Sequence, residues 1–282
     1  MMRHKPMEIL VTNDDGYNSK GIQFLANILK EYGNVTVIAP KEVQSGMSAA
    51  LSIGRTMRLE RISHQEFANG HRLTIYALTG TPVDCVKMAM NKCFGAGGSE
   101  TVIQDEWAQE RGYMPDIVFS GINHGSNASV ASMYSGTLGA AAEGALYGIK
   151  SVGLSINTHD PNPDFSQIEQ FLVPIIEKSI CNHIGNGVFL NVNFPAIPKE
   201  KIIGIRMASQ GNGMWIKEFE QRKDPNGRDY YWMTGNFKNN ETLEDSIGDH
   251  ILMDKGYVTV VPHRIDTTCY STLEQMKRDW NL

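Results

Sequence analysis

Ile9-Leu10-Val11 is a continuous apolar run that gives way at once to Asn13-Asp14-Asp15-Gly16. An uninterrupted run of this kind suits a strand buried on both faces of a parallel sheet. Ile22, Leu25, Ile28 and Leu29 follow at helical spacing, with Ser19 as N-cap and Gly33 as stop, and Val35 to Ala39 reads as a second strand. Strand, helix and strand in so few residues predict a βαβ unit, which requires parallel pairing and a right-handed crossover.

Two adjacent acids at the end of the first strand are the next constraint. In open α/β sheets ligands lie outside the carboxyl ends of the strands, so Asp14 and Asp15 stand where a ligand would be met. Neighbouring carboxylates repel unless a proton or a cation lies between them, and hard divalent cations take such oxygen ligands. The four residues alone admit a plainer reading as well, in which one Asp caps the helix and the other closes a turn.

Further along, Lys41 to Ser48 is a polar loop after strand two, which puts Ser45 on the same sheet edge as Asp14. Residues 51–79 read as short strands, with Asn69-Gly70 as a hairpin turn. Thr81 and Pro82 mark a helix start that either is simply well capped or faces an anion. Gly95-Ala96-Gly97-Gly98 lacks the strand context of a dinucleotide loop, so Phe94 to Gly112 reads as a surface excursion. Asp116 to Ser120 is a buried strand ending in Gly121-Ile122-Asn123-His124-Gly125-Ser126-Asn127. Ser135-Gly136-Thr137 opens a helix over Leu138 to Ile149 whose small residues let it lie close on a sheet, and its N–H groups and hydroxyls suit a phosphate. Strands over Val152–Ile156 and Val188–Val192 flank a helix over Phe165–Ile180.

Beyond residue 200 the pattern changes. A strand over Ile203–Met207 precedes a charged, aromatic β-hairpin arm, about 214–235, turning at Asp224-Pro225-Asn226-Gly227. A strand at 257–262 and a terminal helix from Ser271 to Trp280 complete the chain. The fold class expected is α/β, a three-layer Rossmann-like fold with a mostly parallel sheet and a C-terminal arm. Residues 1–200 are expected to form the catalytic core and 201–282 an extension that packs on the body or on a partner subunit.

Composition narrows the function. A chain of 282 residues with 41% hydrophobic and 20% charged side chains is an ordinary globular protein, and its net charge of -5 argues against a nucleic-acid polymer as partner. Four cysteines without CxxC spacing read as reduced thiols. No secretory h-region precedes the first strand and no run reaches membrane-spanning length, so a cytoplasmic protein with no membrane partner is expected.

Asp14, Asp15, Ser45 and Asn123 come from three βα loops of one sheet edge, and all offer oxygen ligands. Carboxylates with hydroxyl and amide oxygens suit Mg²⁺ or Mn²⁺ rather than zinc. Such a site can polarise a phosphoryl oxygen and activate water, with the Ser135-Gly136-Thr137 helix start holding the phosphate. His124 either positions water and protonates a leaving group or makes a supporting hydrogen bond, and Asn127 either contacts phosphate or caps a turn. Asp249, His250 and His263 lie too far along the chain to be brought to the site by sequence reasoning.

With these motifs in order, namely Ile9 to Gly16, Ala39-Pro40 with Ser45-Gly46, Thr79-Gly80-Thr81-Pro82, Ser120 to Gly125 and Tyr134 to Thr137, the chain resembles the SurE family of metal-dependent phosphatases. The resemblance implies Asp14, Asp15, Ser45 and Asn123 as ligands of one divalent ion per subunit. It also implies hydrolysis of nucleoside 5′- and 3′-monophosphates in the cytoplasm, by homodimers or homotetramers built with the arm. Rival readings are a phosphate-accepting receiver, for which the chain is long, and a nucleotide-binding module without turnover. No GxSxG elbow or DxDx[ST] motif is present, so direct attack of a metal-activated water is expected.

Overall fold

A computed structural model describes residues 6–94, 114–158, 160, 162–242 and 246–280. The glycine-rich excursion after Phe94 lies outside the described residues. Strand β1 (Met7–Thr12) falls on the apolar run, with Ile9, Leu10 and Val11 fully buried. Helix α1 (Lys20–Leu29) turns Ile22, Leu25 and Leu29 inward, and β2 (Gly33–Pro40) pairs parallel to β1. Gly33, expected as the helix stop, opens β2 instead. A Cβ there would lie 2.3 Å from the Met7 carbonyl oxygen, so strand pairing itself excludes a side chain.

Strands β3 (Leu59–Glu66) and β4 (Arg72–Leu78) form the expected antiparallel pair, with Gly70 at φ +82° in the turn. Residues 51–58 are irregular, contrary to the expectation of strand. Helix α2 (Pro82–Met88) starts on a capping box in which Thr81 Oγ1 accepts from Asp84 N–H and Asp84 Oδ2 accepts from Thr81 N–H. That helix start therefore already faces a carboxylate of its own.

Strand β5 (Ile117–His124) runs on through the segment expected as loop, with a register shift against its neighbour between Ser120 and Asn123. Continued pairing at Asn123 and His124 carries both residues on a strand rather than on a flexible connection. Helix α3 (Gly136–Leu146) and β6 (Lys150–Asn157) follow, then a short 3₁₀ turn at Phe165–Gln167 and α4 (Glu169–Cys181), which divide the single helix expected there. After β7 (Val188–Pro195) and β8 (Gly204–Met207), the arm is a two-tier ribbon. Its base pairs β9 (Gly213–Ile216) with β12 (Asn236–Asn239), and its tip pairs β10 (Phe219–Lys223) with β11 (Asp229–Met233). A helix that hydropathy did not reveal, α5 (Asp249–Asp254), precedes β13 (Tyr257–Arg264) and α6 (Tyr270–Asp279).

Nine strands form one sheet among the described residues, in the order β3-β4-β2-β1-β5-β6-β7-β13-β8. From β4 to β7 the neighbours are parallel, while β3 and β13 run antiparallel to β4 and β7. The two strands β8 and β13 bring the region beyond residue 200 into this sheet. Helices α1 and α4 cover one face over Ile9 and Val11, and α2 and α3 cover the other over Leu10. The chain leaves β1 towards β2 and β4 and returns to β5 on the other side. The switch point thus lies at the carboxyl ends of β1 and β5, where two loops part and leave a crevice.

Gly21 on α1 shows how tightly that crevice is framed: a Cβ would lie 2.1 Å from the Ile122 carbonyl oxygen. Gly21→Ala is expected to lower stability by about 1–3 kcal/mol through overpacking, although alanine favours a helix by about 1 kcal/mol. Urea denaturation of the two proteins checks this, and an unchanged or raised midpoint would contradict it.

Candidate active site

Leu10 packs with Cys85, Val86 and Ala140 of α2 and α3, and Asp14, an even number of residues on, meets the start of α3. Thr137 Oγ1 donates to Asp14 Oδ1 at 2.5 Å. The approach is close enough that a Cβ on Gly136 would sit 3.0 Å from Asp14 Cβ. Asp14 is only 4% exposed. Burial, reinforced by the charge of Asp15, raises its pKa from 3.8 to about 6, while the bond from Thr137 opposes the shift. Asp15 is less enclosed: its Oδ2 accepts from His124 N–H at 3.1 Å, and burial raises its pKa too.

Neither aspartate closes the turn or caps α1 by a side-chain bond. Asn13 closes it instead, its Nδ2 donating to the Gly16 carbonyl at 3.0 Å and to Ser19 Oγ at 2.8 Å, and its Oδ1 accepting from Gly16 N–H at 3.1 Å. Gly16 takes φ +99°, a conformation that favours glycine. The amide of Asn13 thus does the turn's work and leaves both carboxylates to the crevice.

Ser45 is exposed on the loop after β2. Its neighbour Gln44 donates its N–H to the Asp14 carbonyl at 2.7 Å, which brings that loop beside the acids. Ser48 pins the same loop to α3's approach, with Oγ donating to the Met133 carbonyl at 2.8 Å. Asn123, on β5, spends its Nδ2 on the Gly125 carbonyl at 2.9 Å. The His124 ring lies 5.5 Å from that of Phe165, with its Nε2 buried and unpartnered among the described residues. Burial lowers its pKa, which keeps the ring neutral at pH 7.

On the phosphate-binding side expected from sequence, Ser135 Oγ accepts from Leu138 N–H at 3.1 Å, so it and Thr137 are both engaged within the chain. Asn127 is buried in a lattice of amides. Its N–H donates to Asn193 Oδ1 at 2.8 Å, its Nδ2 to Ser155 Oγ at 2.8 Å, and its carbonyl accepts from Asn191 Nδ2 at 2.9 Å. Ser155, Asn191 and Asn193 were not singled out from sequence, though polar side chains inside apolar strands are the signal that marks them. Asp249, set aside as too distant, reaches this side and accepts from Ser129 N–H. His263 stacks on Phe189 at 5.3 Å rather than joining the acids. His250 rests its Nε2 on Asn239 Oδ1 at 3.0 Å, at the base of the arm.

No group of three or more His, Cys, Asp or Glu side chains is gathered among the described residues. Neither Asp14 nor Asp15 pairs with a basic side chain there. Two carboxylates without a basic partner among the described residues, on a sheet edge that also carries Ser45 and Asn123, form a donor set that fits a hard divalent cation and not zinc.

Asp14 binds its proton more tightly folded than unfolded, so the metal-free protein gains from it below about pH 4 and loses stability as pH rises towards about 6. The loss is on the order of 2–3 kcal/mol. Asp14→Asn is therefore expected to melt higher than wild type at pH 7.5 without metal, with the gap closing by about pH 4. Thermal melts in EDTA at both pH values decide it, and a variant that melts lower at pH 7.5 would contradict the buried-charge account.

Comparison with known proteins agrees with the family resemblance that the sequence motifs carry. The chain matches the family described as Survival protein SurE over residues 9–217. It is 41% identical over 276 residues to the 5′-nucleotidase SurE of Cytophaga hutchinsonii, covering 98% of this chain and 97% of that one. It is 38% identical over 282 residues to the 5′-nucleotidase SurE of Flavobacterium johnsoniae, covering 100% and 99%. The crystal structure of SurE protein from Aquifex aeolicus superposes with a TM-score of 0.74 at 31% identity, covering 96% of this chain and 98% of that one. Likeness along the whole length, in sequence and in fold, admits one conclusion: the chain belongs to the SurE family.

Proposed function

We propose that this protein is a metal-dependent phosphomonoesterase that hydrolyses nucleoside 5′- and 3′-monophosphates to nucleoside and phosphate. One observation carries the reading: two adjacent carboxylates stand at the sheet's switch point, one of them 4% exposed, and neither has a cationic partner among the described residues. Buried charge of one sign calls for a counter-charge. The 5′-nucleotidase names of the full-length relatives support the substrate class.

Asp14, Asp15, Ser45 and Asn123 would hold one divalent cation, Mg²⁺ or Mn²⁺. When bound, it supplies a Lewis acid for a phosphoryl oxygen and lowers the pKa of water beside it. The chain's own groups do the remainder. Thr137 and His124 N–H hold the two carboxylates in place, so their oxygens need no reorganisation. The start of α3 at Ser135-Gly136-Thr137, together with Asn127, receives the phosphate. The neutral His124 ring positions water, and only its minor protonated form can supply a proton to the leaving oxygen. Water attacks phosphorus directly, without a phosphorylated side chain.

Assembly follows from what the chain leaves uncovered. Phe219, Tyr231, Trp232 and Met233 of the arm tip are 64%, 59%, 58% and 75% exposed, and α6 buries no residue. A two-stranded ribbon is marginal alone, and one that exposes several large aromatic and apolar side chains calls for a partner. We assign the arm to contacts between copies in a homodimer or homotetramer. No helix among the described residues is long and apolar enough to cross a membrane, and the four cysteines are free, two of them exposed. Both fit the cytoplasm as the site of action.

Phosphate release from a panel of nucleoside 5′- and 3′-monophosphates, with Mg²⁺, Mn²⁺ or EDTA, tests the activity. Release is expected only with metal, and Asp14→Asn is expected to lower kcat/KM by on the order of 10²-fold or more. No release with either metal, or an unaffected variant, would defeat the reading. For assembly, replacing residues 219–233 by a short Gly-Ser turn is expected to lower the mass measured by light scattering. An unchanged mass would remove the arm from the interface.

A further inference from the structure

The connection between β5 and α3 carries Asn127 near one end and the Ser135-Gly136-Thr137 helix start at the other. Between them Ser129 is fully buried with φ +54°, a left-handed backbone that disfavours a residue bearing a Cβ. Such a conformation persists only where its surroundings over-determine it. Here the surroundings are built around one carboxylate, with Ser132 Oγ donating to the Ser129 carbonyl at 2.8 Å. Asp249 accepts from Ser129 N–H with both oxygens, at 3.0 and 3.1 Å, and its Oδ1 also accepts from Gly211 N–H at 3.0 Å and from His250 N–H at 2.9 Å. Ser129 Oγ donates to the Gly211 carbonyl at 2.8 Å, which closes the knot.

Asp249 is fully buried, and apart from His250 Nδ1 at 3.8 Å no basic side chain pairs with it among the described residues. Its charge is met by backbone dipoles, each a charge-assisted bond stronger than a neutral one. The knot also joins two parts of the molecule. Gly211 lies at the root of the arm, just before β9, and a Cβ there would come within 2.0 Å of His250 Nδ1. Ser129 lies on the connection whose ends are tied to the site: Asn127 to the ends of β6 and β7, and Thr137 to Asp14. The acids themselves sit after β1 and have no bond to the knot. Loosening Ser129 should therefore displace the phosphate side of the crevice more than the cation side.

We propose that Asp249 is a positioning residue: its carboxylate holds the Asn127–Thr137 connection against the root of the arm and so sets affinity for the substrate phosphate, without touching substrate or cation. The proposal rests on the phosphatase reading above and adds to it a residue far from the acids in sequence.

The test uses the full chain with Asp249→Asn and, separately, Ser129→Ala, which keeps the N–H and removes only the bond to Gly211. For Asp249→Asn, KM for a nucleoside monophosphate is expected to rise about tenfold or more, with kcat lowered less than about threefold, because displaced positioning groups weaken binding of a correctly held phosphate. The Mn²⁺ concentration for half-maximal thermal stabilisation should stay within about twofold, since Asp15 and Asn123 are held through β5 and Thr137, which bonds Asp14, sits on α3 rather than beside Ser129. Amide exchange over residues 126–138 should quicken while β1 stays protected. Ser129→Ala should show the same pattern at smaller amplitude, and it decides the matter if Asp249→Asn does not fold. An unchanged KM in a folded variant overturns the proposal, as does a parallel loss of Mn²⁺ affinity, which would mean general loosening. Should wild type release no phosphate, the phosphatase reading fails, and the exchange pattern with the Mn²⁺ titration still decides whether Asp249 positions this connection.

Discussion

The bond from Thr137 to Asp14 is the contact on which the rest of the crevice depends. It joins the end of the first strand to the start of a helix more than a hundred residues later, across the gap where the sheet's connections diverge. Glycine at 136 permits the approach, and small residues along α3 extend it: a Cβ on Gly144 would lie 2.3 Å from Ser151 Oγ. A helix held this close keeps Asp14 out of water, and burial is the leading cause of its raised pKa. The same geometry makes a charged Asp14 carboxylate costly unless a counter-charge lies beside it.

Around that contact the molecule separates two kinds of work. The acids are fixed by Asn13 in the turn, by the backbone of His124 on the neighbouring strand and by Thr137 at the start of α3. The connection that faces them is fixed by long-range ties, from Asn191, Asn193 and Ser155 at the ends of β6 and β7 and from Asp249 beyond the arm. Buried polar groups of this density are tolerable only when paired, and the amides around Asn127 pair with one another. Most ties to this connection therefore come from the second half of the chain, with Ser48 adding one at Met133, while the proposed cation ligands all lie in the first half.

This division explains what could be read in advance. Local patterns carry their own signal: the apolar run of β1, the helical spacing of α1, the Thr81-Pro82 start and the Asn69-Gly70 turn all gave the elements found. Where tertiary pairing overrides local chemistry, reading from sequence fails. Gly33 looks like a helix stop but is demanded by the Met7 backbone, and Gly121 to His124 looks like a loop but is held in the sheet by β6. Helix α5 is too short for its periodicity to register, and it places the one carboxylate that ties Ser129.

By itself, then, the sequence determined the α/β class, the carboxyl-edge location of Asp14, Asp15, Ser45 and Asn123, and a family likeness that full-length comparison upholds. These depend on side-chain period and on residue types within short segments, which a linear string preserves. Only the tertiary structure decided that Asn13 and not an aspartate closes the turn, that Thr137 turns its hydroxyl to Asp14, and that Asp249 reaches back 120 positions to Ser129. Those contacts depend on which strands become neighbours and how closely a helix lies on them, and that is set by the packing of the whole core rather than by any stretch of it.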